Sequence, residues 1–370
     1  MQPRIHTIPV LRAAFLVLTV VGSQQLLSAQ AKGRSQPLVL AGQADRITAL
    51  SFSPDGRWLV SGSANAVVKL WEIPSGRESR SLKSHTKSIS SLVFSPDSRS
   101  LVSASDDSSI RIWDPVQGVE TKALLGNEYV YSVAVSHNGK LLASAGADGK
   151  VKLWEFTTGH EFASLTGFKT IVYTIAFTSD DSKFAIAEIG ATGLALVDLT
   201  TGNLHKVWHR SVGPFSCPLL SSDARLLAFV SDSLADQETP KSVEDILKGD
   251  LPKQGPLSTA IAEVATGKEL RRLPGDKKPV LCLQFSADGQ WLALGKEAGT
   301  IEIWNLNTGS KWRTLKGAGG SVSALAFSPD GSWLASGNED GSIALWNLAE
   351  LRLTNSVPRA QPLTLRPRPA

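Results

Sequence analysis

Three residues of this chain have the side chains of a nucleophilic triad: His85, Ser103 and Asp107. A hydroxyl, an imidazole to take its proton and a carboxylate to orient the imidazole are the working parts of acyl-transfer chemistry. Their setting points elsewhere. Aspartate returns at matching places, Asp148 ahead of Trp154 and Asp340 ahead of Trp346, with no histidine beside it, so these positions follow a repeat and not a single reaction centre. Metal chemistry fares no better. His205 and His209 have ligand-like spacing only on a helix, because four residues of strand cover about 13 Å. The chain contains no P-loop, Gly-x-Ser-x-Gly, dinucleotide fingerprint or Cys-His cluster. No catalytic, cofactor-binding or metal-binding residue is therefore predicted, and no cofactor.

The elements that carry these residues are short and repeated. SFSPDGRWLVSGSANAVVKLWEIPSG returns as VFSPDSRSLVSASDDSSIRIWDPVQG and AVSHNGKLLASAGADGKVKLWEFTTG, and near the end as QFSADGQWLALGKEAGTIEIWNLNTG and AFSPDGSWLASGNEDGSIALWNLAE. One anchor precedes a turn: Phe52, Phe94, Val135, Phe177, Leu220, Phe285 and Phe327. A second follows 19 or 20 residues later: Trp71, Trp113, Trp154, Val197, Trp304 and Trp346. In the fifth copy Ala262 follows Leu220 by 42, which leaves about 23 extra residues between its anchors. With that insertion set aside the period is 41 to 43, and there are seven copies.

Each copy alternates apolar and polar residues with period two and is punctuated by Ser-Pro-Asp-Gly or Asp-Gly turns. Long helices are excluded. A Gly stands five residues after the second anchor in six copies, from Gly76 to Gly309, and a fourth β-prone run leads onward. Four antiparallel strands per period of about 42 residues build one blade, so the predicted fold is an all-β, seven-bladed β-propeller over residues 36–349.

These copies resemble the WD-repeat family, whose blades carry Gly-His before the first strand and Trp-Asp at the end of the third. The resemblance is strong in copies one, two, three, six and seven and faint in four and five. It implies a structural hydrogen-bond set of connecting-loop His, second-strand Ser or Thr, turn Asp and Trp indole. Copy two keeps the whole set as His85, Ser103, Asp107 and Trp113; Asn65 stands in copy one where the family has Asp. The family's rigid platforms also imply a non-catalytic scaffold that binds a protein or peptide on the face carrying the fourth-to-first and second-to-third connections. A propeller enzyme or small-ligand sensor working through the central channel or the top face is the alternative.

The ends and the insertion complete the reading. Residues 1–31 have a basic start at Arg4 and Arg12, an apolar run from Ala13 to Gly22 and small residues near Ala29 and Ala31, the pattern of a cleaved secretory signal. An uncleaved membrane-anchoring helix is the other reading of this segment. A secreted or periplasmic, monomeric protein with no transmembrane span in its mature form is expected. Removing those arginines takes the formal charge from +4 to about +2, too little for a nucleic-acid footprint. Cys217 and Cys282 hold equivalent registers on adjacent blades, which cannot meet, so both are expected as buried thiols. Pro37 to Leu40 is a spare fourth-strand run and is expected to complete the last blade, with Leu351 to Val357 as the rival; residues 358–370 read as a flexible tail. The insertion at 231–257 contains a short helical signature with Val243, Ile246 and Leu247 as its apolar stripe. Together with Tyr129 and Phe168 on neighbouring loops, they are the predicted partner-binding residues.

Overall fold

A computed structural model describes residues 36–40, 43–168, 171–188, 194–208, 218–232, 257–276 and 278–353. Residues 38–346 form seven four-stranded antiparallel sheets arranged as a β-propeller. Blade one shows the plan: Ile47–Phe52, Trp58–Ser63, Val67–Glu72 and Arg77–Lys83 pair in that order. The first strands of successive blades touch one another and so line the axis. Second strands are buried almost throughout, whereas the fourth strands, such as Val119–Leu125, are largely exposed at the rim.

Among the described residues the buried apolar side chains form separate clusters and no single central core. The apolar side chains instead fill the seams between blades, as where Val60, Val68 and Leu70 of blade one meet Ile89, Leu92, Phe94 and Trp113 of blade two. The Trp near the end of a third strand packs back onto the preceding blade: Trp154 against Val102 and Ile110, and Trp304 against Val230 and Ile261. Tryptophan at this register is thus blade-to-blade packing.

Strand order sets the two faces. First-to-second and third-to-fourth turns share the lower face; the other two connections share the upper. On the lower face one local device repeats in all seven blades, a Ser or Thr hydroxyl donating to an Asp or Asn two residues on. It runs from Ser53 to Asp55 at 2.5 Å, from Ser136 to Asn138 at 2.9 Å and from Ser328 to Asp330 at 2.6 Å. The same hydroxyl accepts the N–H five residues ahead, as from Trp58 at 3.0 Å. This closes the hairpin without distant help. Three non-glycine residues of these turns, Ser98, Asp181 and Ala224, sit in the left-handed region, and the first two strap neighbouring blades. Ser98 (φ 60°) accepts from the Asp55 N–H at 3.1 Å, and Asp181 (φ 56°) accepts from the His137 and Asn138 N–H groups at 2.8 Å each.

The ring closes through its N-terminal strand. Leu38–Leu40 pairs antiparallel with Ile343–Asn347, placing Leu38 opposite Leu345 and Leu40 opposite Ile343. Gly76, at φ 70° in the third-to-fourth turn of blade one, faces the Leu38 and Leu40 side chains so closely that a Cβ there would meet both within 2.7 Å. The rival segment takes another form. Leu348–Leu353 is a short helix, opened by Asn347 Oδ1 accepting the Glu350 N–H at 3.0 Å.

Blade five pairs its middle strands, Leu226–Asp232 and Leu257–Glu263, right up to the insertion, with Asp232 opposite Leu257. Residues 233–256, including Val243, Ile246 and Leu247, lie outside the described residues, as do residues 1–31, Cys217 and the tail 358–370. Cys282 is half-buried, not buried as expected. Its Sγ reaches across the seam to Val322 O at 3.4 Å, which keeps the side chain at the edge of the apolar layer. Among the described residues no helix is long and apolar enough to cross a membrane.

Candidate functional site

In blade two the connecting loop and the second-to-third turn converge on the upper face and bring the four predicted residues together. His85 Nε2 lies 2.7 Å from Ser103 Oγ, His85 Nδ1 lies 3.0 Å from Asp107 Oδ2, and the Trp113 indole donates to Ser103 Oγ at 2.9 Å. Asp107 also accepts the Thr86 and Ser109 backbone N–H groups at 2.9 Å each. A neutral imidazole that donates through Nδ1 and accepts through Nε2 satisfies every partner. Ser103 is fully buried. A nucleophilic hydroxyl must reach a substrate, and this one is enclosed by its indole and imidazole neighbours. The set holds strands together.

Its electrostatics predict acid sensitivity. Burial pushes His85 below its ordinary 6.5, outweighing the bond to Asp107. Burial would raise Asp107, but the donors from Ser109, Thr86 and His85 hold its carboxyl at about 2. Both groups bind protons more readily in the unfolded chain, so stability falls as pH drops through about 6.5 and again below about 3.8 towards 2. Melting temperatures from pH 7 to pH 5 should decline less in His85→Gln than in the unaltered protein. Superimposable pH profiles would remove His85 from the account.

The other blades solve the same problem with other residues. Gln43 takes the histidine's place in blade one, its Nε2 donating to Ser61 Oγ at 2.8 Å while the Trp71 indole donates to the same oxygen at 2.9 Å. In blade three Asn127 accepts from Ser144 Oγ at 2.7 Å and donates to Asp148 at 3.1 Å, with the Trp154 indole on Ser144 at 3.1 Å. Blade three thus closes its set with Asn127, whereas in blade one Gln43 Oε1 is left buried without a hydrogen-bond partner among the described residues. The missed signal was Gly42-Gln43 and Gly126-Asn127 at the family's Gly-His position. Blade six substitutes charges. There Asp276 occupies the histidine's place and pairs with Lys296 Nζ at 2.9 Å; Lys296 pairs with Glu302 at 3.1 Å, and Glu302 Oε2 accepts the Trp304 indole at 3.2 Å. In blade four the described members of the set are apolar: Phe168, Ile186 and Val197 fill the places of the His, Ser and Trp and pack in one cluster. Replacing all partners together leaves no orphaned donor, which is why the change is tolerated. Phe229 and Ala262 are the matching buried residues of blade five.

The exposed part of the upper face is aromatic around blades three and four. Tyr129 is 40 % exposed in the connecting loop at φ 45°, with Lys87 Nζ 5.1 Å from its ring centroid. Tyr131 and Tyr173 are the extra residues of β-bulges at the upper ends of adjacent first strands, and their rings lie 6.1 Å apart. A bulge turns its extra side chain out of the ladder. Tyr131 and Tyr173 were not singled out in the sequence, because a bulge is invisible to a strict alternation. Phe168 is half-buried against the seam of blades three and four, so Tyr129 is the exposed member of the predicted pair.

This blade plan and its indole-centred set are those of WD-repeat proteins, and the comparison of sequences agrees. The WD40 family, described as WD domain, G-beta repeat, matches residues 35–72, 76–114, 118–155, 267–305 and 309–347, and the chain belongs to it. The unmatched stretch contains blade four, with its apolar set, and blade five, with its insertion. Among curated proteins the chain is similar to U3 small nucleolar RNA-associated protein 21 of Saccharomyces cerevisiae, 49 % identical over 37 residues, 10 % of this chain and 4 % of that protein. It is 45 % identical to human ribosome biogenesis protein BOP1 over 47 residues, 13 % of this chain and 6 % of the relative. Bovine protein NEDD1 is 31 % identical over 75 residues, 20 % of this chain and 11 % of its own length. The chain therefore spans only a small part of each of these relatives. Their names overturn the expectation of a secreted or periplasmic protein: ribosome biogenesis and association with a small nucleolar RNA belong inside the cell.

Proposed function

We propose that this chain is a non-catalytic scaffold that holds a protein or peptide partner on its upper face. The observation that carries this reading is the division of labour on that face. Polar residues of catalytic type are buried as blade architecture, while Tyr129 is presented to solvent and Tyr131 and Tyr173 stand beside it at the channel mouth. Aromatic side chains of this kind offer large contact area at small entropic cost and act as interface anchors. Likeness to relatives named for ribosome biogenesis supports a place among assembling macromolecules. The insertion residues Val243, Ile246 and Leu247 would extend the same surface from blade five.

A photo-crosslinking residue placed at Tyr129, and separately at Asn138 on the lower face, tests the reading in cells. Discrete high-mass adducts are expected from position 129 and not from position 138. Adducts from the lower face alone would transfer the binding surface there.

A further inference from the structure

We infer that the upper-face patch of Tyr129, Tyr131, Tyr173 and Asp106 takes a cationic side chain, arginine or lysine, from the partner's peptide. This rests on the scaffold reading and names the chemistry the scaffold selects. The chain has only three tyrosines in 370 residues, and all three stand at this one place. They come from two adjacent blades and from a loop and two bulges, so no strand alternation put them there.

Asp106 supplies the counter-charge. It lies in the second-to-third turn of blade two, half-buried, with its backbone N–H donated to Ser88 O at 3.0 Å. Its carboxylate receives no hydrogen bond and forms no ion pair with any described residue. Neighbouring Asp107, by contrast, is saturated with donors. Burial raises the Asp106 carboxyl and Asp107 adds to it, against the fields of Lys87 and Arg46, neither of which reaches salt-bridge distance. The Tyr129 N–H lies 3.4 Å from Ser108 Oγ, in the same second-to-third turn as Asp106, so that turn and the tyrosine-bearing loop sit side by side. Burial, then Asp106 and Tyr129, push the Tyr131 phenol up, in keeping with that placement. A carboxylate that is partly desolvated and unpaired gains from an incoming cation, and aromatic faces add to the attraction. Lys87 already shows the second half of this chemistry by lying over the Tyr129 ring. An anionic ligand would meet Asp106 and the negative ring faces instead.

Protein labelled with 3-fluorotyrosine gives three fluorine resonances, every one of them a reporter of this patch. The probes are acetyl-Gly-Xaa-Gly amides in which Xaa is Arg, Lys, Glu or Leu. Saturable shifts are expected with the Arg and Lys peptides, with affinity about tenfold above the Glu peptide. Asp106→Asn should abolish that preference without changing the melting temperature. Equal responses to Arg and Glu peptides in the unaltered protein would overturn the inference, as would an Arg preference that survives in Asp106→Asn. Crosslinks from Tyr129 without any cation preference would leave the scaffold and remove only its selectivity. A cation preference without crosslinks would leave a cation site and remove the macromolecular partner.

Discussion

Deleting residues 36–40 should lower the melting temperature by roughly 10 °C, the effect of losing about 3–5 kcal/mol in a domain of this size. Leu40 is 3 % exposed and packs with Trp71, Ile343 and Leu345, so its loss empties part of the seam between blades seven and one. The ladder to Ile343–Asn347 disappears with it. That strand then becomes an unpaired edge, and the N-terminal segment no longer ties the first blade to the last. Circular dichroism melts of the deletion would measure the cost, with Leu40→Ser as the single-residue version. Val39→Lys is the control: Val39 is 51 % exposed, and its substitution should change stability by less than about 0.5 kcal/mol. An unchanged melt after the deletion would show that the ring is held by its other seams alone.

Removing the Glu302 carboxylate should be almost as damaging. Lys296 is 3 % exposed and Glu302 8 % exposed on their side chains, and the ammonium is balanced by Glu302 and Asp276. Glu302→Ala leaves that cation with Asp276 alone and strips the Trp304 indole of its acceptor, at a cost of about 3–5 kcal/mol. Burial would raise the Glu302 carboxyl, yet Lys311 and Lys296 hold it below its ordinary 4.5. Its contribution is therefore present above about 4.5 and fades as pH falls below that value. The double change Lys296→Met with Glu302→Leu removes both buried charges and should cost less than the sum of the single changes. Denaturant titrations of the two single variants and the double provide the cycle. Strict additivity would mean that the two groups do not interact and that the network is incidental.

The blades themselves were legible from the chain because their instructions are local. A Ser-Pro-Asp-Gly turn satisfies its own donors within five residues, and the alternation on either side of it chooses the buried face, so seven repeats could be counted without knowing how they touch. That the seventh blade lacks a fourth strand was also legible, since it lacks the turn glycine, but the sequence offered both Pro37 to Leu40 and Leu351 to Val357 for the place, and the folded ring shows Leu38–Leu40 in it. The His85 set could be named through its likeness to a known repeat.

What fills a place, by contrast, was decided only by the folded ring. Gln43, Asn127, Phe168 and Asp276 occupy one structural position with four chemistries, because a site built by residues some twenty positions apart asks for matched donors, volume or charge and not for one residue type. The same holds for the upper face. Tyr129, Tyr131 and Tyr173 are scattered along 45 residues of chain, and only the bulges and the stacking of one blade on the next bring them to a single mouth beside Asp106. Strand periodicity governs what is buried within a blade; contact between blades, which no period records, governs what the surface offers.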